Sequence, residues 1–166
     1  MKRLLFFVIV SVFATVSCGG QRSIDYTTHT SANGSYKVDI PSKFGMPRKV
    51  ADMIQVVGGN DGPSAEIIKV SYSSLSAYLN SGDAHFVQGT KRKFNYNVKE
   101  SSENLVAYKV TTPTTMMFSA CSIYGFKKLK SGNYVINVMQ VNGDLNYYKG
   151  IVLHMIDSLQ DIDSLK

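Results

Sequence analysis

Alternating apolar and polar residues recur along the chain between residues 35 and 141. In the segment SYKVDI, which begins at Ser35, every second residue is apolar. This period of two is typical of a half-buried β-strand. Because turn-forming residues such as those of 58–63 and 130–133 separate the segments, the pattern predicts a run of antiparallel hairpins. The predicted strands are 35–40, 50–57, 65–72, 96–99, 105–112, 116–129 and 134–141.

Two other segments repeat apolar residues every three or four positions, as amphipathic helices do. The shorter one covers 74–82, with Gly82 as its predicted end. The longer one begins at Leu145, directly after Asp144, whose carboxylate is a favourable helix N-cap. The tail 161–166 is predicted to fray. The predicted apolar arc of the long helix comprises Tyr148, Val152, Met155, Ile156 and Leu159.

The order of these elements predicts the α+β class, because strands are grouped apart from helices. We expect a curved antiparallel sheet packed on one face by a long C-terminal helix and a short middle helix. Three stretches, GSYKVDIPSKF (34–44), GNYVINV (132–138) and MIDSL (155–159), resemble the photosystem oxygen-evolving protein PsbP and its bacterial relatives. That resemblance implies a PsbP-like fold and, since members are mostly non-catalytic, a binding or assembly role. A cystatin-like or nuclear-transport-factor-like cone is the alternative fold.

The N-terminus has the pattern of a signal peptide. Lys2 and Arg3 precede thirteen uncharged, mostly apolar residues, 4–16. This run is shorter than the roughly 20 residues of a membrane-spanning helix and matches a signal-peptide core. The sequence TVSC that ends at Cys18 resembles the lipobox of bacterial lipoproteins. The resemblance implies cleavage before Cys18, with lipid on its sulfur and on the new amino group. The alternative is an ordinary secretory signal with an unrelated cysteine.

These features predict three parts of the chain: a lipoprotein signal peptide at 1–17, a flexible polar tether at 18–33 and a single domain at 34–166. Glycines rather than aspartate follow Cys18. Because aspartate at that place can hold lipoproteins in an inner membrane, the chain is expected at the outer membrane of a bacterial cell envelope. Its predicted partners are the membrane, reached through the lipid on Cys18, and an envelope protein.

The net charge of the chain does not change the predicted class of protein. The formal charge of +6 falls by two when Lys2 and Arg3 leave with the signal peptide. Basic residues cluster only at 91–93 and 127–130, and no nucleic-acid recognition motif accompanies them. They are predicted to be solvated strand ends and hairpin tips, with contact to anionic headgroups or glycans as the alternative. No nucleic-acid partner is expected.

The sequence contains few residues that are candidates for catalysis or metal binding. Of the two cysteines, Cys18 is assigned to lipid, so Cys121 is predicted to be a buried small residue without a disulfide partner. His29 falls in the tether, His85 in a loop, and His154 beside Asp157 on the polar side of the long helix. None has the spacing of a metal site. We therefore predict no metal, no cofactor and a solvated His154–Asp157 pair.

The sequence thus favours a non-enzymatic, lipid-anchored binding or assembly module whose ligand it does not identify. A hydrolase with a site assembled from distant residues is the alternative. Tyrosines offer large contact area at low entropic cost. The candidate binding surface is therefore an exposed sheet face that carries Tyr72, Tyr108 and Tyr124, although tyrosine is also an ordinary strand residue.

Overall fold

The computed structural model describes residues 23–58, 62–81, 95–111 and 119–162. The predicted signal peptide, Cys18, His85 and the basic cluster at 91–93 lie outside the described residues. No helix in the described ranges is long and apolar enough to cross a membrane. The strands are β1 (Tyr26–Thr30), β2 (Tyr36–Pro41), β3 (Arg48–Val50), β4 (Met53–Val56), β5 (Ser64–Val70), β6 (Asn95–Ser101), β7 (Leu105–Thr111), β8 (Ser119–Leu129), β9 (Gly132–Val141) and β10 (Gln160–Asp161). The helices are α1 (Leu75–Asn80) and α2 (Leu145–Ser158), and a 3₁₀ turn covers Ser42–Phe44.

The strands form two antiparallel sheets. The larger has the order β3-β4-β5-β9-β8-β7-β6, and the smaller has the order β1-β2-β10. The expected hairpins are present, since β6 pairs with β7, β7 with β8, and β8 with β9. The α+β class predicted from the order of elements is therefore confirmed, as is the long C-terminal helix.

The main core lies between α2, the large sheet and β2. Ile151, Val152 and Met155 of α2 are fully buried, and Leu159 directly after the helix is buried with them. Asp144 caps this helix as predicted, because its Oδ1 accepts a hydrogen bond from the backbone N–H of Asn146 at 2.9 Å. The helix thus starts at a defined residue and presents its apolar arc to the sheet.

The expectation that both helices share one sheet face is wrong. Helix α1 packs on the opposite face, in a second cluster that contains Tyr124 and Val135, whereas their chain neighbours Ile123 and Ile136 face α2. Because side chains alternate across a strand, apolar residues at successive positions make both faces of β8 and β9 apolar. Each face then needs its own cover, and α1 supplies the second.

Three further boundaries differ from the predictions. The expected flexible tether contains β1, whose five residues pair with β2 from Tyr26 to Thr30. The strand expected at 50–57 is shorter, because Val50 ends β3, Ala51 with a φ of 47° lies in a tight turn, and β4 begins only at Met53. Asp161, the first residue of the expected frayed tail, belongs to β10, which pairs with β2. In each case backbone pairing with a distant or neighbouring strand orders residues whose local pattern is weak.

The carboxylate of Asp161 joins the two sheets. It accepts hydrogen bonds from the backbone N–H groups of Lys130 at 2.8 Å and Ser131 at 3.1 Å, in the turn between β8 and β9. Slight burial opposes ionisation, but a hydrogen bond from the Ser131 side chain, the two backbone hydrogen bonds and the Lys130 charge lower the pKa of Asp161 below its ordinary value. The ionised side chain therefore stabilises the folded state above about pH 4.

We expect Asp161→Ala to lower the free energy of unfolding by about 1 kcal/mol at neutral pH. Because the folded-state pKa is depressed, this difference should persist down to about pH 4 and shrink as the pH falls through the folded pKa. Urea unfolding of both proteins over a pH series measures it. A difference that does not change with pH in acid would show that the carboxylate charge has no part in the effect.

Candidate functional site

An open cleft of about 1260 Å³ lies where the chain enters β1. Three elements form its walls: the segment that leads into β1, the 3₁₀ turn after β2, and the first turns of α2. The residues that line it are Ser23, Ile24, Asp25, Tyr26, Ser42, Lys43, Asp144, Asn146, Tyr147 and Gly150.

Hydrogen bonds fix the entry segment against the 3₁₀ turn. The backbone N–H of Ser42 donates to the carbonyl oxygen of Asp25 at 2.9 Å, and the hydroxyl oxygens of Thr27 and Ser42 lie 2.7 Å apart. Pro41 ends β2 and is the N-cap residue of the turn, and Phe44 at its end is buried in the core. The wall that carries Lys43 is therefore attached to the core on one side and to β1 on the other.

Lys43 and Tyr147 meet across the cleft. The Lys43 Nζ lies 4.4 Å from the centroid of the Tyr147 ring and donates a hydrogen bond to the Tyr147 hydroxyl. Tyr147 in turn packs edge-on against Tyr148, with ring centroids 5.0 Å apart. A cation close to an aromatic face is an attractive contact, stronger when water is excluded. The cleft thus offers one cation and an aromatic surface to a bound group.

Gly150 keeps the α2 side of the cleft open. A Cβ placed on this residue would find no atom within 4 Å. Asp144 contributes a carboxylate at the same end, but its Oδ1 is engaged in capping the helix. The cleft therefore combines one cation with carboxylates of Asp25 and Asp144, so its overall charge is mixed rather than strongly positive.

A cluster of three side chains lies at the border of the cleft. The rings of Tyr26 and His154 are stacked with centroids 3.8 Å apart, and His154 Nε2 lies 3.5 Å from Asp39 Oδ2. Thr28 Oγ1 donates to Asp39 Oδ1 at 2.6 Å and so orients the carboxylate. Burial, followed by the neighbouring Tyr147 and Asp39, raises the pKa of Tyr26. Tyr26 is therefore neutral at physiological pH.

The structure gives His154 a different partner from the one predicted. Sequence spacing on the helix suggests Asp157, whereas the acid beside His154 is Asp39 of β2. His29 also changes place, since it belongs to β1 and not to a tether. Burial, and then the charge of Lys49, lowers the pKa of His29. In the described ranges, no group of three or more His, Cys, Asp or Glu residues could hold a metal ion.

The predicted tyrosine surface is wrong. Tyr124 is only 2% exposed, because α1 covers that sheet face. Tyr72 is partly buried there and lies 5.8 Å from Tyr78 of α1, measured between ring centroids. The side chain of Tyr108 lies outside the described residues. The aromatic side chains that line the cleft described above are Tyr26 and Tyr147, and nothing in the local sequence distinguishes them from the other tyrosines.

Cys121 is a buried free cysteine, as predicted. Burial raises the pKa of its thiol to about 11, so the reactive thiolate is scarce at neutral pH. The basic cluster at 127–130 is only partly the solvated tip that was expected. Lys127 Nζ donates to the carbonyl oxygens of Ile156 at 2.6 Å and Asp157 at 3.1 Å, and so binds the C-terminal end of α2. Lys128 and Lys130 are exposed.

Comparison with known proteins bears on the fold. No protein-family model matches the chain, and no curated protein matches it. Among solved structures, one of a mutant of the protein Mog1 superposes with a TM-score of 0.56 at 9% sequence identity. The match covers 85% of this chain and 98% of that chain. The fold is similar to that of Mog1. At this identity the likeness concerns the α+β fold and carries no function.

Proposed function

We propose that this chain is a lipid-anchored, non-enzymatic binding or assembly module of a bacterial cell envelope, held at the outer membrane by Cys18. The observation that carries the proposal is the position of the cleft. Its first lining residue, Ser23, follows Cys18 by only five residues. Five residues span at most about 18 Å when extended. If Cys18 carries the lipid, the Ser23 side of the cleft lies within about that distance of it.

A lipid on Cys18 would hold the chain at a membrane without a spanning helix. Each CH₂ group buried in the bilayer contributes about 0.8 kcal/mol, and two or more acyl chains hold a protein stably where one does not. The lipobox-like sequence before Cys18 supports this arrangement. Because β1 begins at Tyr26, the link between lipid and domain is also shorter than the polar composition of 18–33 predicts.

The cleft is the proposed binding surface. Tyr26 and Tyr147 supply aromatic area, and Lys43 supplies a cation that an anionic or polar group can approach. Tyrosine and lysine in this arrangement support recognition by stacking and charge. We further propose that the domain belongs to the PsbP-like group of α+β folds, whose opening strand and closing helix its sequence resembles.

Intact mass of the membrane-extracted protein tests the anchor. We expect the wild type to lack residues 1–17 and to carry the mass of acyl chains, and Cys18→Ala to lose both the processing and the lipid. The matched control is Cys121→Ala, which removes the other cysteine and should leave processing unchanged. A wild-type protein that is soluble and unacylated would refute the proposal.

Co-purification from the same membranes tests the cleft. A partner or ligand that binds there should be recovered with the wild type and with Leu153→Ala, an exposed change elsewhere on α2. Recovery should fall roughly tenfold with Tyr147→Ala, because the aromatic contact and the lysine partner are both lost. Equal recovery with all three proteins would place binding elsewhere on the domain.

A further inference from the structure

An apolar side chain is exposed to solvent two residues after a core residue. Phe44 is buried at the end of the 3₁₀ turn, and Gly45 redirects the backbone with a φ of 99°. Met46, which follows, is 92% exposed. A positive φ of this kind favours glycine. Because Phe44 fixes the base of the turn in the core, the methionine points away from the domain.

The next strand adds two basic side chains and a second apolar one. β3 lies at the edge of the large sheet and pairs only with β4. Arg48 and Lys49 are exposed, and Val50 is 60% exposed. Because side chains alternate along a strand, Arg48 and Val50 lie on one face of β3 and Lys49 lies on the other, so the three flank its free edge. In the described ranges neither basic side chain forms an ion pair. We refer to Met46, Arg48, Lys49 and Val50 as the basic apolar patch.

Nearby charges leave the patch positive. Lys43, three residues before Met46, is also exposed. The acidic residue nearest along the chain is Asp52, which accepts a hydrogen bond from the Asn33 side chain and carries one formal negative charge against the three positive charges of Lys43, Arg48 and Lys49. Burial and the charge of Lys49 lower the pKa of the neighbouring His29, so that side chain is neutral at physiological pH.

The patch lies close to the place where the chain that follows Cys18 enters the domain. Lys43 lines the same cleft as Ser23. Met46 follows Lys43 by three residues, which span at most about 11 Å, and Cys18 precedes Ser23 by at most about 18 Å. If Cys18 is acylated, as proposed above, the bilayer surface is therefore within reach of the patch.

We propose that the basic apolar patch docks on the anionic surface of the bilayer that holds the Cys18 anchor. Met46 and Val50 enter the boundary between headgroups and acyl chains, and Arg48 and Lys49 contact lipid phosphates. This contact fixes the orientation of the domain, which attachment through a lipid at a single residue does not. The inference rests on the proposed anchoring for its geometry, whereas the lipid contact itself can be measured separately.

An environment-sensitive fluorophore on Met46→Cys tests this contact in the acylated full chain. The protein is reconstituted in phosphatidylcholine vesicles with and without phosphatidylglycerol. The buried thiol of Cys121 stays unlabelled. Leu153→Cys, at an exposed apolar position on α2, is the control label. We expect a blue shift and quenching by bilayer-depth quenchers at position 46, in vesicles that contain phosphatidylglycerol, and neither at position 153.

Charge removal provides the second comparison. Each basic residue near an anionic surface strengthens association about fivefold, so R48Q/K49Q should lower the ratio of docked to free protein about 25-fold. The control K69Q/K128Q removes the same charge from exposed positions elsewhere on the large sheet and should leave the ratio unchanged. Equal losses in the two double variants would overturn the assignment to this patch.

Failure of the inference is distinguishable from failure of the anchor. The intact mass of each sample reports acylation, and full-length Cys18→Ala with added vesicles reports docking without it. No shift at position 46 with anionic vesicles in either form would overturn the proposal. A shift that requires a second protein and occurs without lipid would also overturn it, because the occupant would then be a protein.

Discussion

Replacing Tyr36 with alanine is expected to lower the free energy of unfolding by about 3–5 kcal/mol, the usual cost of removing a large buried aromatic side chain. Tyr36 is fully buried on β2, and its ring centroid lies 4.7 Å from that of Tyr134 on β9. Its hydroxyl donates to the carbonyl oxygen of Asp52 at 3.1 Å, in the turn between β3 and β4. One side chain thus joins the two sheets and a hairpin turn.

Tyr36→Phe separates packing from the hydrogen bond. It keeps the ring and should cost only about 1 kcal/mol at neutral pH. Urea unfolding followed by circular dichroism measures both variants. Similar losses for alanine and phenylalanine would show that the hydrogen bond, and not ring packing, dominates at this position.

The Tyr36 phenol should also make the free energy of unfolding depend on pH in the alkaline range. Burial, followed by the neighbouring Tyr134 and Asp52, raises the pKa of Tyr36 well above its ordinary value near 10. Because the folded-state pKa exceeds the unfolded one, the contribution of the neutral phenol is complete below about pH 10. It is lost as the pH rises towards the folded pKa. Wild-type stability should therefore fall more steeply above pH 10 than that of Tyr36→Phe.

Met155→Ala should lower the free energy of unfolding by about 2–5 kcal/mol. Met155 is fully buried where α2 packs on the large sheet and β2, so truncation removes apolar contact and leaves a cavity. The matched control is Leu153→Ala on the same helix, where the side chain is 42% exposed and the change should stay within about 0.5 kcal/mol. Thermal unfolding of both variants gives the comparison. A loss for Leu153→Ala as large as that for Met155→Ala would mean that the buried face of α2 is misassigned.

Local patterns predict the elements that bury one regular set of side chains. The alternation in β2 and β9 and the periodicity of α2 are strong, and Asp144 marks the start of that helix. β1 is different, because its sequence YTTHT holds few apolar residues and becomes a strand through backbone pairing with β2. The position of α1 depends on apolar residues at successive positions of β8 and β9, a pattern that local periodicity does not assign to a second layer.

The candidate site is harder to predict because its residues are distant along the chain. Asp25 and Ser42 meet through a backbone hydrogen bond, and Lys43 reaches Tyr147 across the cleft. His154 finds its acid on β2. None of these contacts follows a helical or strand spacing, so only tertiary structure reveals them. The sequence singles out Cys18 because the lipobox-like stretch that ends there is contiguous.

The small sheet places the two ends of the domain on either side of one strand. β1 comes from the beginning and β10 from the end, and both pair with β2. The contact between β10 and β2 closes a loop of more than a hundred residues and cannot form until the last part of the chain is present. Contacts of such long range slow folding. If the chain reaches the cell envelope proposed here by crossing a membrane unfolded, that delay is an advantage, because the small sheet cannot close while β10 is still on the other side.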